Sequence, residues 1–430
     1  MPFPFPQILR RLANINATLL IFCAAGLAHA QCDSVLNGCD SGCDSLFGTQ
    51  EVGCLDGILA ASAEKGIVWS GDLVQYYQGV VDGGINRTGR YGGLLTYGAL
   101  LDFGKLGLTQ GTLLQIGGQT SFGESINGDT GAVLLAANAN GLLPTSDGQD
   151  TSLTDFLLTQ FLSENFAVFA GRLNTFGGDM NAFAHGRGKT QFMNAAMVIN
   201  PTAFRVAPYV TYGAGVSILK ELTPIFSLSV IDPQNYATRL DLDELFSNGV
   251  TVAAEGRLPF QAFGRPGHVL LSGNWSNRTV LNLNELARLP INVSQPLPVA
   301  SDSWAIYGNF DHYLVTFDDS QQTGFGIFGR WGVADQDTNP FEWFLSAGIG
   351  GNSPVGGRAK DTFGIGWFYG AVTDALPGIV FANDSQGVEA YYGVAVSDRI
   401  VLSPDVQWTD SSRRTIGDSW TLGLRLYMTM

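Results

Sequence analysis

Residues 323–332, TGFGIFGRWG, admit two incompatible readings. Gly324, Gly326 and Gly329 match the formal G-x-G-x-x-G of dinucleotide-binding folds, where glycines shape a strand-to-helix turn beneath a pyrophosphate. That motif requires a helix after it. The segment WGVADQDTNP, residues 331–340, has no apolar 3.6-residue periodicity and ends at Pro340, so no helix opens there. Phe325, Ile327, Trp331 and Val333 instead share one parity, and Gly326, Phe328, Arg330 and Gly332 share the other. A period of two is that of a strand, so these are strand glycines and the nucleotide reading falls.

The same alternation recurs from Gly66 onward in segments of about ten residues, separated by Gly, Asn, Asp and Pro clusters, as in a membrane β-barrel. In LTYGALLDF, Leu95, Tyr97, Ala99, Leu101 and Phe103 are expected outside, with Thr96, Gly98 and Asp102 inside. In TLLQIGGQTSF, Leu114, Ile116 and Phe122 oppose Gln115, Gln119 and Ser121. In NPFEWFLSAGIG, Phe341, Trp343, Leu345, Ala347 and Ile349 oppose Glu342, Phe344, Ser346 and Gly348. In DTFGIGWFYGA, Phe363, Ile365, Trp367 and Tyr369 oppose Gly364, Gly366, Phe368 and Gly370. A glycine row on an inward face lets a loop or solute come close, whereas a lipid face wants bulk. The chain ends in SWTLGLRLYMTM, with Trp420, Leu422, Leu424, Leu426, Met428 and Met430 on one face and Thr421, Gly423, Arg425, Tyr427 and Thr429 on the other. Such a strand closes a barrel and is similar to the C-terminal signal read by the barrel-assembly machinery, although Met430 replaces the usual aromatic.

Composition agrees. Only 14% of residues are charged, 11% are aromatic, and 55 are glycine, against a usual charged share of about 25%. Much of the surface therefore does not face water. No stretch approaches the ~18 to 20 apolar residues of a membrane helix, and the alternative in lipid is a closed barrel with no unpaired edge. The expected fold is all-β: a transmembrane antiparallel β-barrel of about sixteen strands over residues 66–430. Helix content is expected to be low, with one short turn at LDELFSNG, residues 242–249.

Residues 1–30 read as a secretory signal: Arg10 and Arg11, an apolar run from Ala17 to Leu27, then Ala28-His29-Ala30. Residues 31–65 form a Cys-, Gly- and Asp-rich periplasmic leader. Its Cys32, Cys39, Cys43 and Cys54 are an even, clustered set that reads as two disulfides, with three connectivities open. A zinc site is disfavoured because the spacing lacks paired C-x2-C knuckles. Loss of the signal leaves 21 basic against 38 acidic residues, a balance of −17, which excludes nucleic acid bound through a phosphate-neutralising patch.

Catalytic signatures are missing. Neither G-x-S-x-G nor H-E-x-x-H occurs, and His312 shares the parity of Trp304, Ile306 and Phe310, which favours a structural role over a barrel-wall hydrolase. The cluster Asp335, Asp337, Asn339 and Glu342 lacks the EF-hand glycine and terminal glutamate and reads as a solvated loop. No cofactor or metal is called for. What remains are polar groups at inward parity: Arg172 and Asn174, Arg330, Glu389, Asp405 and Gln407, and Arg425. An arginine facing lipid near the midplane costs ~2 to 4 kcal/mol, so placement on one parity implies a wet lumen in which these groups line the pore.

FAVFAGRLNTFGGDMNAF (166–183), GFGIFGRWGVAD (324–335), GGRAKDTFGIGW (356–367) and GVEAYYGVAVSDRIVLSPDVQWT (387–409) together resemble the carbohydrate-selective, OprB-like porins over most of residues 66–430. The resemblance implies a sixteen-stranded barrel in the bacterial outer membrane, through which sugars diffuse passively past an eyelet of arginine, acidic and aromatic side chains. It implies outer-membrane lipid and small sugars as partners and leaves homo-oligomerisation open. A competing reading is a structural barrel whose Cys-rich leader binds the cell wall or a protein.

Overall fold

The computed structural model describes residues 49–430 except 133–134, 143–150, 222, 289–295, 319–322, 376–382, 411–412 and 414. The signal, Cys32, Cys39, Cys43 and the Cys54 side chain lie outside the described residues. A helix, α1 (Thr49–Glu64), precedes the first strand and was not anticipated in the leader. Its second half, ILAASAE, is built of good helix formers, but Gly53 and Gly57 mask the pattern in sequence.

The strands are β1 (Ile67–Gly83), β2 (Gly89–Asp102), β3 (Thr112–Gly123), β4 (Thr151–Ser163), β5 (Phe166–Asn174), β6 (Val210–Lys220), β7 (Thr223–Ile231), β8 (Thr251–Ala262) and β9 (Arg265–Ser276). After a two-stranded ladder of β10 (Val280–Leu281) and β11 (Val299–Ala300) come β12 (Ser303–Thr316), β13 (Gly324–Ala334), β14 (Phe341–Asn352), β15 (Thr362–Val372), β16 (Ser385–Ser397), β17 (Ile400–Thr409) and β18 (Ser419–Thr429). Omitting β10 and β11, sixteen strands pair antiparallel with their sequence neighbours into a closed barrel. The seam joins β18 to β1, with Arg425 opposite Tyr76 and Gly423 opposite Gln78.

One rim carries tight turns such as residues 164–165, 263–264 and 398–399, whereas the other carries the long loops 124–150, 175–209, 232–250 and 277–302. The 263–264 turn shows how tight connection is achieved: Phe263 and Gly264 both take positive φ, 53° and 72°, the backbone hand that matches the twist of a hairpin. At LDELFSNG the chain makes the expected turn, with Leu245 N donating to Leu242 O at 3.1 Å.

The parities agree with the sequence. Ile327, Trp331, Val333, Leu345, Ile365, Trp367, Trp420, Leu422 and Leu424 are exposed on the outer wall, while Phe328, Phe344 and Phe368 are buried inside. Phe341 is the exception, because a register shift between Phe341 and Trp343 turns it inward. There it joins an interior apolar cluster with Leu135, Phe183, Phe192, Met197 and Phe328. That cluster exists because residues 135–142 and loop 175–209 fold into the lumen.

The inward glycines are the seat of the second loop. A Cβ on Gly326 would stand 2.7 Å from the Phe183 ring, on Gly364 2.7 Å from the Phe192 ring, and on Gly366 2.9 Å from the Met197 sulfur. Replacing Gly366 with leucine should therefore lift the loop from the wall, destabilising the protein by about 1 to 3 kcal/mol. Single-channel recording should show a smaller conductance, because the added side chain pushes the loop across the lumen, and the melting temperature should fall; a variant with unchanged conductance would contradict this account of the row.

Candidate functional site: a constriction built by inward loops

The seven inward polar residues singled out in the sequence are all at most 9% exposed. Most of their polar atoms meet loop backbone. Arg330 on β13 bonds Asp179 Oδ2 at 2.7 Å and donates to the carbonyls of Met197 (2.6 Å), Ala184 (2.9 Å) and Asp179 (3.2 Å). All four contacts lie in loop 175–209. Asp179 is further held by Asn309 Nδ2 at 2.6 Å and takes a left-handed φ of 54°, a conformation that aspartate tolerates better than most side chains.

Glu389 on β16 accepts the amides of Met193 and Asn194, the latter at 2.8 Å. Those residues lead into α2 (Ala195–Val198), a single turn capped by Asn194, whose side chain accepts from Ala196 N at 3.0 Å. Gln407 on β17, the register partner of Glu389, accepts from Asn194 Nδ2 at 3.0 Å and donates to Ala137 O and Asp405 Oδ1, each at 2.9 Å. Arg425 on β18 donates to Gly188 O at 2.8 Å and lies over the Tyr391 ring at 5.8 Å. The next loop residue, Lys189, reaches Asp72 on β1 at 2.7 Å.

Arg172 on β5 stands apart and holds a different loop. It donates to Tyr236 O at 2.5 Å and Arg239 O at 2.9 Å, as well as to Leu153 O and the Tyr212 hydroxyl. Asn174 ends the same strand and accepts from Phe176 N at 3.0 Å, starting a turn at Thr175–Gly177. The structure thus brings Glu389, Asp405, Gln407 and Arg425 together on three adjacent strands and places Arg330 and Arg172 elsewhere. His312, at outward parity, stacks on Phe260 at 5.6 Å. Asp335 accepts from Asp337 N and Thr338 Oγ1, shaping the turn, but Asn339 is buried and donates to Thr202 O, so this part of the cluster is fastened to the inward loop and is not the solvated segment expected.

Loop 175–209 packs toward β12–β18 and leaves space on the opposite wall. A chamber of about 200 Å³ lies between the loop and the inner faces of β7, β8, β9 and β12. Ser227, Glu255, Ser272, Asn274 and Tyr307 line its barrel side; Phe176, Gly178, Asp179 and Phe204 line its loop side. A second cavity of about 490 Å³, lined by Tyr209, Arg239 and Arg278, opens toward the long-loop rim, and both cavities share Phe176, Phe204 and Ala207. Phe176 packs against Phe204 at 5.0 Å and Tyr209 at 4.6 Å. Burial, and then the neighbouring Arg205, hold the Arg278 guanidinium below its ordinary pKa. Sequence reasoning missed these lining residues. A usable signal existed on β8 and β9, where Glu255 shares inward parity with Arg257, and Asn274 with Ser272.

A closed sixteen-stranded barrel with an apolar outer band and a lumen narrowed by an inward loop is an outer-membrane porin. The chain belongs to the carbohydrate-selective porin, OprB family, whose model matches residues 86–430. The high-pH structure of Pseudomonas putida OprB superposes with a TM-score of 0.75 at 19% identity, covering 87% of this chain and 97% of that one. The low-pH structure of the same protein gives 0.54 at 16% identity, covering 90% and 99%. Salmonella typhi OmpF in complex with daunomycin gives 0.51 at 8% identity, covering 86% and 99%. No curated protein matches the chain in sequence. The protein is a porin of the bacterial outer membrane that passes carbohydrates.

Arg330→Ala should release the loop and leave Asp179 buried without its cation, a loss of about 3 to 5 kcal/mol. Limited proteolysis should then cut within residues 175–209 of the folded barrel, where the parent is resistant; a resistant variant would contradict the clamp.

Proposed function

We propose that sugars cross the lumen along the β5–β9 wall, entering over Tyr209 and Phe204 and passing the chamber beside Glu255. The observation that carries this route is that the mouth cavity and the chamber share Phe176, Phe204 and Ala207. Aromatic rings offer the apolar face of a sugar a surface, and the serine, asparagine and carboxylate groups opposite offer its hydroxyls partners. Arg172, Arg330, Glu389, Asp405, Gln407 and Arg425 act on the solute indirectly in this reading, by fixing the loops that set the bore. Asn174 does both, since its side chain caps the loop and lines the chamber. Passage is passive diffusion without catalysis. The signal of residues 1–30 is removed, residues 31–65 form the periplasmic leader with its two disulfides, and the closing strand is handed to the barrel-assembly machinery.

Single-channel recording of the refolded protein in planar bilayers tests this. Open channels whose current is blocked by mono- and oligosaccharides are expected, with the block weakened several-fold in Phe204→Ala. Open channels indifferent to sugar would discard the route, and a closed channel would discard diffusion altogether.

A further inference from the structure

The barrel side of the chamber is a polar band in strict register. Ser227 of β7 stands opposite Glu255 of β8, Glu255 opposite Ser272 of β9, and Ser272 opposite Tyr307 of β12. One row nearer the mouth stand Ser229, Ala253 and Asn274. Asn174 and Asn274 are buried at the chamber wall, beside the hydroxyls of Tyr209 and Tyr307.

The charges at the two levels differ in sign. The mouth cavity is lined by Arg278 and by Arg239, which pairs with Glu244 at 3.2 Å, and by no carboxylate among the described residues. The chamber is lined by the carboxylates Asp179 and Glu255 and by no lysine, arginine or histidine among the described residues. Asp179 is matched by Arg330 at 2.7 Å. Glu255 accepts one backbone bond, from Asp179 N at 3.3 Å, and no ion pair involves it among the described residues. Arg257, the next inward side chain on β8, is turned toward Asp311 at 3.6 Å. A carboxylate facing a narrow, low-dielectric passage acts strongly on whatever charge enters.

We infer that Glu255 makes the chamber a charge-selective subsite that favours sugars carrying a protonated amine and rejects those carrying a carboxylate or phosphate. The inference rests on the route proposed above. The amine meets the Glu255 carboxylate, the ring hydroxyls meet the serines of β7 and β9, and the apolar ring face meets Phe176 and Phe204. The arginines at the mouth do not repel an anion, so rejection falls at the chamber.

The test is current block in planar bilayers at neutral pH by glucose, glucosamine and glucuronate, on the full chain and on Glu255→Gln. Glucosamine should block at about a tenfold lower concentration than glucose, and glucuronate should block less well than either. In Glu255→Gln the glucosamine preference should fall to near parity while the glucose block persists. A second arm adds Ser229→Lys to Glu255→Gln, which leaves a cation in place of the carboxylate in the same chamber and should invert the order in favour of glucuronate. Equal block by all three sugars in the parent, or an unchanged preference in Glu255→Gln with no inversion in the double variant, overturns the inference while leaving the sugar route standing. Open channels blocked by none of the sugars overturn the route and the inference together.

Discussion

In hydrocarbon no water is at hand to satisfy a backbone N–H or C=O, so every strand must find partners on both sides. This protein meets that demand by pairing each strand with its sequence neighbour and returning β18 to β1. A ring of sixteen strands, however, encloses more space than wall side chains can fill. The lumen therefore has to be furnished from elsewhere, and residues 135–142 and 175–209 supply the material. Glycines on β13 and β15 give them room, and the aromatic cluster around Phe192 and Phe328 gives them an apolar floor.

An irregular segment inside a barrel brings backbone groups with no ladder to join, and a barrel wall bearing arginines brings charges with no water. Each answers the other. Carbonyls of Met197, Ala184 and Gly188 accept from Arg330 and Arg425, and the amides of Met193 and Asn194 point at Glu389. Because these clamps lie on β13, β16 and β18, the loop is drawn to that half of the barrel. The chamber is consequently eccentric, beside the small polar side chains of β7 to β9.

The fold was legible because lipid and lumen impose opposite chemistries on alternate residues. Ile327, Trp367 and Leu424 against Phe328, Gly366 and Arg425 gave the wall, the parity and the closing strand. The inward address of Arg330 and Glu389 was equally plain, but the partners of those residues were not: they lie more than a hundred residues away, in a loop without periodicity. Parity says which way a side chain points and nothing of what stands there. Phe341 was misassigned because a bulge shifts the register by one residue and leaves no local mark. Helix α1 was overlooked because Gly53 and Gly57 break the helical pattern ahead of its alanines. Glu255 and Asn274 carried the right parity and were passed over because a lone carboxylate or amide on a strand resembles any other until the empty space beside it is known.

Gly188 and Lys189 are neighbours in the loop, yet one is held by Arg425 on the last strand and the other by Asp72 on the first. The loop is thus buckled across the one junction whose two strands lie at opposite ends of the chain. Those two grips have a common site only when the final strand has met the first, so a half-assembled sheet has no place to fasten them. Completion of the cylinder and calibration of its bore become a single event, and a barrel that fails to close does not pass through a stage as a leaky, fully gauged pore.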